Sequence, residues 1–484
     1  MSVLSEIEPK NVMSYFEQIC SLPHGSGNTQ IISNYCVGFA KQHDLEYIRD
    51  DMGNVIIFKK GTMGYEDSEP VIIQGHLDMV CEKDDDMSID MSKEGLKLKY
   101  SDNKVYAQGT TLGGDDGIAV AYALAVLAST TLRHPPIEAV FTVDEEIGML
   151  GASHIDVSML KGRTMLNIDS EEEGIFQVSC AGGVTAVCHK PYTRKSAYGY
   201  DTLITIDGLT GGHSGLEIIK ERANSNMLMG RLLYTLSYDY DFKLIEINGG
   251  KKDNAIPIRT SARILLNEES DLTELEKRVE EIAETFRNEY AATDEAINIV
   301  CEYIFSPMTV DAMDDELTSQ VMTLLYLLPG GIQKMSKDIP GLVQTSLNMG
   351  ILETGDDEVR FSFCVRSNVA SEKVELLTRM ECLTKSMGGT ITLSGDYPAW
   401  EYKKDSRLRE IMERVYHEQT MQNASVMAVH AGVECGIFAD KLPGLDCVSF
   451  GPNLHNIHTT GEYMEADSVK RTWDLLTEVL RRLK

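Results

Sequence analysis

Residues 71–78 have the sequence VIIQGHLD, an apolar run followed at once by a histidine and then by an aspartate. A second apolar run, residues 139–143, leads into DEE at 144–146, and a third, residues 164–168, ends at Asp169. Helical patterns separate these strand-like runs. Such alternation predicts an α/β fold whose central strands are parallel.

Each of the three runs is followed directly by residues that can do chemistry. Open α/β sheets form their sites in the crevice at the carboxyl ends of the strands, so these residues are expected to lie close together. Between the first two runs, residues 113–117 read GGDDG and precede an apolar helical segment. We therefore expect Asp115 and Asp116 in a tight turn at the amino end of a helix.

Each of these motifs alone has an ordinary alternative explanation. A His-x-Asp triplet is more often a simple turn, an aspartate pair can merely cap the helix that follows, and the DSEEE run at 169–173 can be a solvated acidic turn. Far along the chain, residues 455–462 read HNIHTTGE and supply a second histidine, His458.

Taken together, the motifs provide two histidines and three carboxylates, one of which can be shared. Each of two divalent ions would then have one imidazole and oxygen ligands, a mixture that suits zinc and tolerates manganese or cobalt. The adjacent pair Glu145 and Glu146 would let one carboxylate bind a metal while the other, unligated, acts as a general base.

The pattern changes over residues 189–397, where amphipathic helices and alternating strands predict an inserted α+β domain. The first domain would then be discontinuous, with residues 1–188 and 398–484. Within the insert, residues 254–257 and 346–351 each precede an alternating strand, which leaves open whether it arose by internal duplication. Asp467 is expected to cap the last helix.

Composition narrows the class of protein. A chain of 484 residues exceeds the size of one ordinary core, and a net charge of −30 argues against a nucleic-acid partner. The longest apolar run, residues 118–128, is too short to span a bilayer, so no membrane partner is expected. Ten cysteines without a CxxC pair, and a beginning without a signal-peptide pattern, predict a reduced cytoplasmic protein.

The segments GHLDMV (75–80), GGDDG (113–117), DEEIG (144–148), NIDSE (167–171) and HT (458–459) resemble peptidase family M20, and they occur in the family's order. The likeness covers essentially the whole chain. Residues 21–24 (SLPH), 211–215 (GGHSG) and 430–436 (HAGVECG) resemble its aminoacyl-histidine dipeptidase branch. The resemblance implies a zinc-peptidase-like catalytic domain with a mainly parallel central sheet, and an inserted α+β lid.

The resemblance also implies a role for individual residues of the catalytic domain. The metal ligands would be His76 and Asp169, with Asp115 as the bridging ligand and Glu146 and His458 completing the pair. Glu145 would be the general base, and Asp78 would orient His76. Many relatives carry lysine where this chain has Gly117, so the choice of Asp115 over Asp116 as the bridge stays open.

In the lid, the resemblance implies that His213 stabilises the oxyanion and that Asn254 and Arg366 hold the substrate's terminal carboxylate. Arg366 as a surface arginine and His213 as a buried structural histidine are the alternatives. The implied partner is a small peptide, and a homodimer is compatible with the family.

The implied function is metal-dependent hydrolysis of dipeptides, in particular aminoacyl-histidine (carnosine-like) and other unblocked dipeptides. Within the same family, a tripeptidase, a deacetylase or an aminoacylase is the alternative. A non-catalytic metal-binding scaffold is disfavoured, because such a protein has no need of the unligated base Glu145.

Overall fold

A computed structural model describes residues 2–484. The chain divides into two compact units: unit 1 runs up to Cys180 and includes Trp400–Ala428 and Val433–Lys484, and unit 2 comprises Ala181–Ala399 and Val429–Gly432. The predicted domain bounds, 188/189 and 397/398, differ from these divisions by a few residues. The reason is that a long strand, Gly182–Pro191, continues through residue 188. The role of unit 2 as a lid stays a prediction.

The helices are α1 (Lys10–Cys20), α2 (Gln30–Gln42), α3 (Gly114–Ala128), α4 (Leu150–His154), α5 (Ser225–Leu236), α6 (Ser270–Glu289), α7 (Asp315–Leu327), α8 (Ala370–Ser386), α9 (Arg407–Thr420), α10 (Glu434–Lys441) and α11 (Ala466–Arg482).

The strands are β1 (Glu46–Arg49), β2 (Val55–Lys59), β3 (Val71–His76), β4 (Leu98–Ser101), β5 (Lys104–Ala107), β6 (Ile137–Thr142), β7 (Thr164–Asn167), β8 (Ile175–Cys180), β9 (Gly182–Pro191), β10 (Arg194–Asp207), β11 (Gly212–His213), β12 (Phe242–Gly249), β13 (Ala255–Ile256), β14 (Thr260–Leu266), β15 (Asn298–Tyr303), β16 (Met308–Met313), β17 (Gly331–Met335), β18 (Val343–Thr354), β19 (Glu358–Ser367), β20 (Thr390–Tyr397), β21 (Ser425–Val429), β22 (Asp446–Ser449), β23 (Leu454–His455) and β24 (Tyr463–Glu465).

The main sheet of unit 1 has eight strands in the order β1-β2-β6-β3-β7-β22-β8-β21. Its centre is parallel, because β3 pairs in parallel with both β6 and β7, and β22 pairs in parallel with β7. Towards the edges β1, β2 and β8 pair antiparallel with their neighbours. The prediction of an α/β fold with parallel central strands is thus confirmed.

The register of the parallel strands brings their carboxyl ends to one level. His76 at the end of β3 lies opposite Thr142 at the end of β6, and Gln74 lies opposite Asn167 at the end of β7. The acidic residues that follow β6 and β7 therefore enter the space beside His76, where an open α/β sheet forms its site.

Helix α3 is apolar all round, and its residues 117–127 are buried, as expected of a helix inside the core. It begins just after Gly113, whose φ of 68° favours glycine and where a Cβ atom would lie 2.8 Å from Met79 Sδ. Asp115 and Asp116 have non-helical backbone angles. The structure therefore places both aspartates in a tight turn at the start of the helix.

The start of the last helix differs from the prediction. Helix α11 begins at Ala466 with Glu465 in the N-cap position, so the prediction that Asp467 caps it is wrong. Strand β24 leads directly into the helix, which moves its start ahead of Asp467, and the Asp467 N–H donates to Asn103 Oδ1 at 3.0 Å.

Unit 2 has a ten-stranded sheet whose main path is β15-β10-β14-β12-β18-β19-β9-β20, with β16 on β10 and β17 on β18. Neighbouring strands of this sheet, such as β10 with β14 and β19 with β18 and β9, pair antiparallel. Helices α5, α6, α7 and α8 pack with the sheet around a core that includes Phe286, Phe361 and Phe363. This is the α+β insert expected from the sequence. Among residues 2–484, none of the helices has both the length and the apolar character needed to cross a bilayer.

Candidate metal centre

The Asp115 carboxylate lies between two imidazoles. Its Oδ1 is 3.0 Å from His76 Nε2, and its Oδ2 is 3.2 Å from His458 Nε2. The two histidines come from opposite parts of the chain, one at the end of β3 and one in the loop between β23 and β24. A carboxylate that offers one oxygen to each histidine has the arrangement of a bridging ligand.

Two further carboxylates approach the same imidazole nitrogens. Glu146 Oε1 is 2.8 Å from His458 Nε2, and Asp169 Oδ1 is 3.8 Å from His76 Nε2. An imidazole nitrogen can share one proton with one acceptor, but here each faces two carboxylate oxygens. One imidazole with carboxylate oxygens around it is a donor set that fits a divalent ion of the zinc, manganese or cobalt type.

Among residues 2–484, three groups of possible ligands lie close enough to hold an ion: Asp115, Glu146 and His458; His76, Asp116 and Asp169; and His76, Glu145 and Glu146. The first group is the predicted set around His458. The second contains Asp116, the open alternative to Asp115. Asp116 is buried, and its Oδ2 accepts the main-chain N–H of His76 at 3.0 Å, so one of its oxygens already has a partner.

Asp78 holds the loop that carries the two glutamates. Its Oδ1 accepts the Glu145 N–H at 3.0 Å, and its Oδ2 accepts the Glu146 N–H at 3.3 Å and the Ser26 hydroxyl at 2.8 Å. His76 Nδ1 lies 3.0 Å from the Asp78 main-chain oxygen and 3.6 Å from the Asp78 carboxylate, which is too far for a hydrogen bond. The contact that His76 Nδ1 makes with Asp78 is therefore with the backbone oxygen, and the role of Asp78 in orienting His76 stays a prediction.

Glu462 fixes the turn before Asp115, and no local pattern of residues around Glu462 indicates this role. Its Oε2 accepts the N–H groups of Leu112 and Gly113 at 2.7 and 3.2 Å, and its Oε1 accepts the Gly114 N–H at 2.9 Å. Because Glu462 lies four residues after His458, one buried side chain links the two loops that carry Asp115 and His458.

The crowding of acidic groups shifts their pKa values. Burial, together with nearby Glu434, Glu146 and Asp115, raises the pKa of Glu145 to about 8, although His76 opposes the shift. Hydrogen bonds to Asp115 and Glu146 raise the pKa of His458 to about 10.

Asp169 and Asp115 respond in opposite directions to this crowding. Burial, and then the charges of Asp115, Glu145 and Glu434, raise the pKa of Asp169. Burial also opposes ionisation of Asp115, but the hydrogen bonds from His458 and His76 lower its pKa. Carboxylates that repel one another in this way gain from a cation placed among them.

The predicted lid residues belong to unit 2. His213 Nδ1 accepts the main-chain N–H groups of Gly215 and Leu216, both at 3.1 Å, and burial followed by the charge of Arg366 lowers the pKa of His213. Asn254 is exposed, and its main-chain oxygen accepts the Ser214 N–H at 2.9 Å.

Arg366 is buried at the end of β19. Its Nη1 donates to Tyr397 Oη at 2.7 Å, while its Nε makes no hydrogen bond within residues 2–484. A Cβ atom on Gly215 would lie 3.0 Å from His213 Cε1 and 3.2 Å from Arg366 Nε, so this glycine separates the two side chains. The predicted alternative of a surface arginine does not describe Arg366.

Comparison with known proteins assigns the family. Residues 72–482 match the description "Peptidase family M20/M25/M40". The chain belongs to this family. It is therefore a metallopeptidase, as the motifs around His76, Asp115 and His458 indicated.

Two relatives cover nearly the whole of this M20 chain. A cytosol non-specific dipeptidase of Escherichia coli is 34% identical over 485 residues, which is 100% of this chain and 99% of the relative. The crystal structure of an aminoacylhistidine dipeptidase from Vibrio alginolyticus superposes with a TM-score of 0.93 at 33% identity, over 99% of this chain and 98% of that one. A tripeptidase from Staphylococcus aureus, at 15% identity and a TM-score of 0.55, shares the fold.

The geometry predicts different effects for the two neighbouring aspartates. We expect Asp115→Asn to lose at least one metal ion per chain, because an amide has a single oxygen and no negative charge with which to bridge the two proposed ions. Asp116→Asn should keep its ions, because an amide oxygen can still accept the His76 N–H. Metal content after dialysis, measured by elemental analysis, tests this. Loss of metal in the Asp116 variant alone would make Asp116 the bridge.

Proposed function

We propose that this M20 peptidase is a two-metal dipeptidase that cleaves unblocked dipeptides, aminoacyl-histidine dipeptides among them. The observation that carries the proposal is the Asp115 carboxylate shared between His76 and His458, with Glu145 beside it. Two ions held at a short distance by a shared carboxylate are typical of hydrolases that attack an amide or phosphate.

The proposed ligands are His76 and Asp169 for one ion, His458 and Glu146 for the other, and Asp115 for both. When bound, the ions supply Lewis acidity, which polarises the scissile carbonyl and acidifies the attacking water. Zinc is the proposed native metal because it suits imidazole and carboxylate ligands, and manganese and cobalt fit the same donors.

Glu145 is the proposed general base. The main-chain N–H of Glu145 donates to the Asp78 carboxylate, and this hydrogen bond fixes the backbone from which the Glu145 side chain extends. The next residue along the chain is the proposed ligand Glu146. Burial raises the pKa of Glu145, which makes its carboxylate a stronger proton acceptor than an exposed glutamate. It would take the proton of the attacking water on a carboxylate oxygen and return it to the leaving amine.

His213 and Arg366 of unit 2 are proposed to bind the substrate. Because His213 Nδ1 accepts two backbone N–H groups, the ring proton must sit on Nε2, which is then a neutral donor for an oxyanion. The unpaired Nε of the buried Arg366 fits a terminal carboxylate, with Asn254 as a second donor. Closure of unit 2 as a lid over bound substrate is part of the same proposal.

The two full-length relatives support the substrate class. One is named a non-specific dipeptidase and the other an aminoacylhistidine dipeptidase, and both match this chain from end to end. The tripeptidase alternative is less favoured, because the Staphylococcus aureus tripeptidase shares only the fold. We also propose a cytoplasmic location, in keeping with ten free cysteines and with the cytosol relative. A homodimer stays a prediction.

The two adjacent glutamates should behave differently on substitution. We expect Glu145→Gln to lose on the order of 10²–10⁴ in kcat, the scale of a general base, while its metal content is unchanged. Glu146→Gln should lose metal, because its oxygen is 2.8 Å from His458 Nε2. Steady-state rates and elemental analysis on both variants test the assignment. Equal metal retention in the two would show that the roles of this pair are exchanged or absent.

The carboxylate clamp makes a prediction about substrates. If Arg366 binds the free carboxylate, a C-terminal amide leaves a buried charge without its partner, a loss on the order of 2–5 kcal/mol. Dipeptide amides should therefore react with a kcat/KM about 30-fold to several thousandfold lower than that of free dipeptides. Arg366→Ala should remove most of this discrimination.

Arg360 provides the matched control for this experiment. It lies on the same strand but is more exposed, and it pairs with Glu353 at 2.7 Å. Arg360→Ala should leave the preference for free dipeptides intact. A wild-type enzyme that cleaves amides and tripeptides as well as dipeptides would favour a broader aminopeptidase instead.

A further inference from the structure

Glu434 belongs to the HAGVECG segment at 430–436, whose role the proposed chemistry does not explain. It is the first residue of α10 and is fully buried, with 0% of its surface exposed. Burial of a carboxylate is costly unless hydrogen bonds or an opposite charge compensate it. The contacts of its two oxygens therefore indicate why an acid is present.

One oxygen of Glu434 is well bonded. Its Oε2 accepts the Gln74 amide at 2.6 Å and the Thr142 hydroxyl at 2.8 Å. Gln74 in turn accepts the Asn167 amide on its Oε1 at 2.5 Å. The three residues of this network, Gln74, Thr142 and Asn167, are buried near the carboxyl ends of β3, β6 and β7.

The network lies directly behind the proposed metal centre. Gln74, Thr142 and Asn167 precede His76, Glu145 and Asp169 by two or three residues along the chain. Through these partners, Glu434 connects the three strand ends that lead into two proposed ligands and the proposed base.

The other oxygen of Glu434 has no partner. Within residues 2–484, Oε1 is buried and makes no hydrogen bond, and both donors to Oε2 are neutral. An amide oxygen would satisfy Gln74 and Thr142 equally well, so hydrogen bonding alone does not require a negative charge here. The carboxyl groups around Glu434 interact. Burial raises the pKa of Glu434 to about 7, and burial followed by nearby groups that include Glu434 raises the pKa values of Glu145 and Asp169, so a cation among these groups favours their ionised forms.

We propose that Glu434 is a positioning residue whose negative charge, held behind the ends of β3, β6 and β7, strengthens the binding of cations to the metal centre. The inference rests on the proposed metal centre but not on the proposed dipeptide specificity. The competing explanation is a purely structural role, in which Glu434 only links α10 to the sheet.

Two substitutions separate charge from shape. Glu434→Gln keeps the length of the side chain and an acceptor for both donors but removes the charge. Glu434→Asp keeps the charge but shortens the side chain. A role in cation binding requires the aspartate variant to bind metal better than the glutamine variant, whereas a structural role requires the reverse.

The experiment measures Zn²⁺ affinity of metal-free protein by competition with a chromophoric chelator, together with the melting temperature of the metal-free protein. We expect Glu434→Gln to bind Zn²⁺ about 10–100-fold more weakly than wild type, the usual effect of losing a residue behind the ligands. Its metal-free form should melt at the same or a higher temperature, because a buried unpaired charge among other carboxylates has been removed.

Glu138 is the matched control. It is a buried carboxylate near the start of β6, and its two oxygens accept the N–H groups of Lys161 and Gly162 at 2.9 and 3.0 Å. Glu138→Gln should leave Zn²⁺ affinity unchanged and lower the melting temperature to the same extent with and without metal.

The inference is overturned if Glu434→Gln binds Zn²⁺ like wild type, if it binds better than Glu434→Asp, or if it melts lower or fails to fold without metal. Failure of the proposed function gives a different result, because wild-type protein would then bind no Zn²⁺ tightly. Tight wild-type binding without hydrolysis of dipeptides would sink the substrate assignment alone.

Discussion

The site depends on one carboxylate that lies between two imidazoles. Asp115 can reach both His76 and His458 only because the turn before α3 is held in place, and that turn is fixed by three N–H groups that donate to Glu462. Gly113 permits the turn through its positive φ. If this turn moved, the two histidines would no longer share an acceptor, and the two proposed ion sites would separate.

The same arrangement concentrates negative charge in a small buried volume. After burial, the charges of Asp115 and Glu434 raise the pKa values of both Glu145 and Asp169. Such repulsion destabilises the metal-free protein and is relieved when cations bind, so part of the binding free energy of the ions is expected to appear as folding stability. Activity and stability of the fold are thus linked through one cluster of charges.

The central sheet and most of the candidate site could be predicted from sequence, because apolar strands followed directly by His76, Glu145 or Asp169 are local signals. The parallel centre of the sheet then brings those residues together without further information. The roles of Glu462 and Glu434 could not be predicted, since their partners are 350 and 360 residues away in sequence and nothing local specifies them. The start of α11 was misplaced for a related reason, because an acidic residue near a helix start does not reveal where the preceding strand ends.

Three carboxylates that are not proposed ligands share one task in unit 1. Asp78, Asp116 and Glu462 each accept main-chain N–H groups from a segment that carries functional side chains: the Glu145–Glu146 loop, the His76 residue and the turn before Asp115, respectively.

Hydrogen bonds from backbone N–H groups to a carboxylate are strong and directional, and none of these three carboxylates is a proposed ligand. The proposed ligands are therefore held in place without metal, which reduces the conformational entropy that metal binding must overcome. In such a site the backbone is rigid, and the carboxylate oxygens of the proposed ligands Asp115, Glu146 and Asp169 stay available for cations.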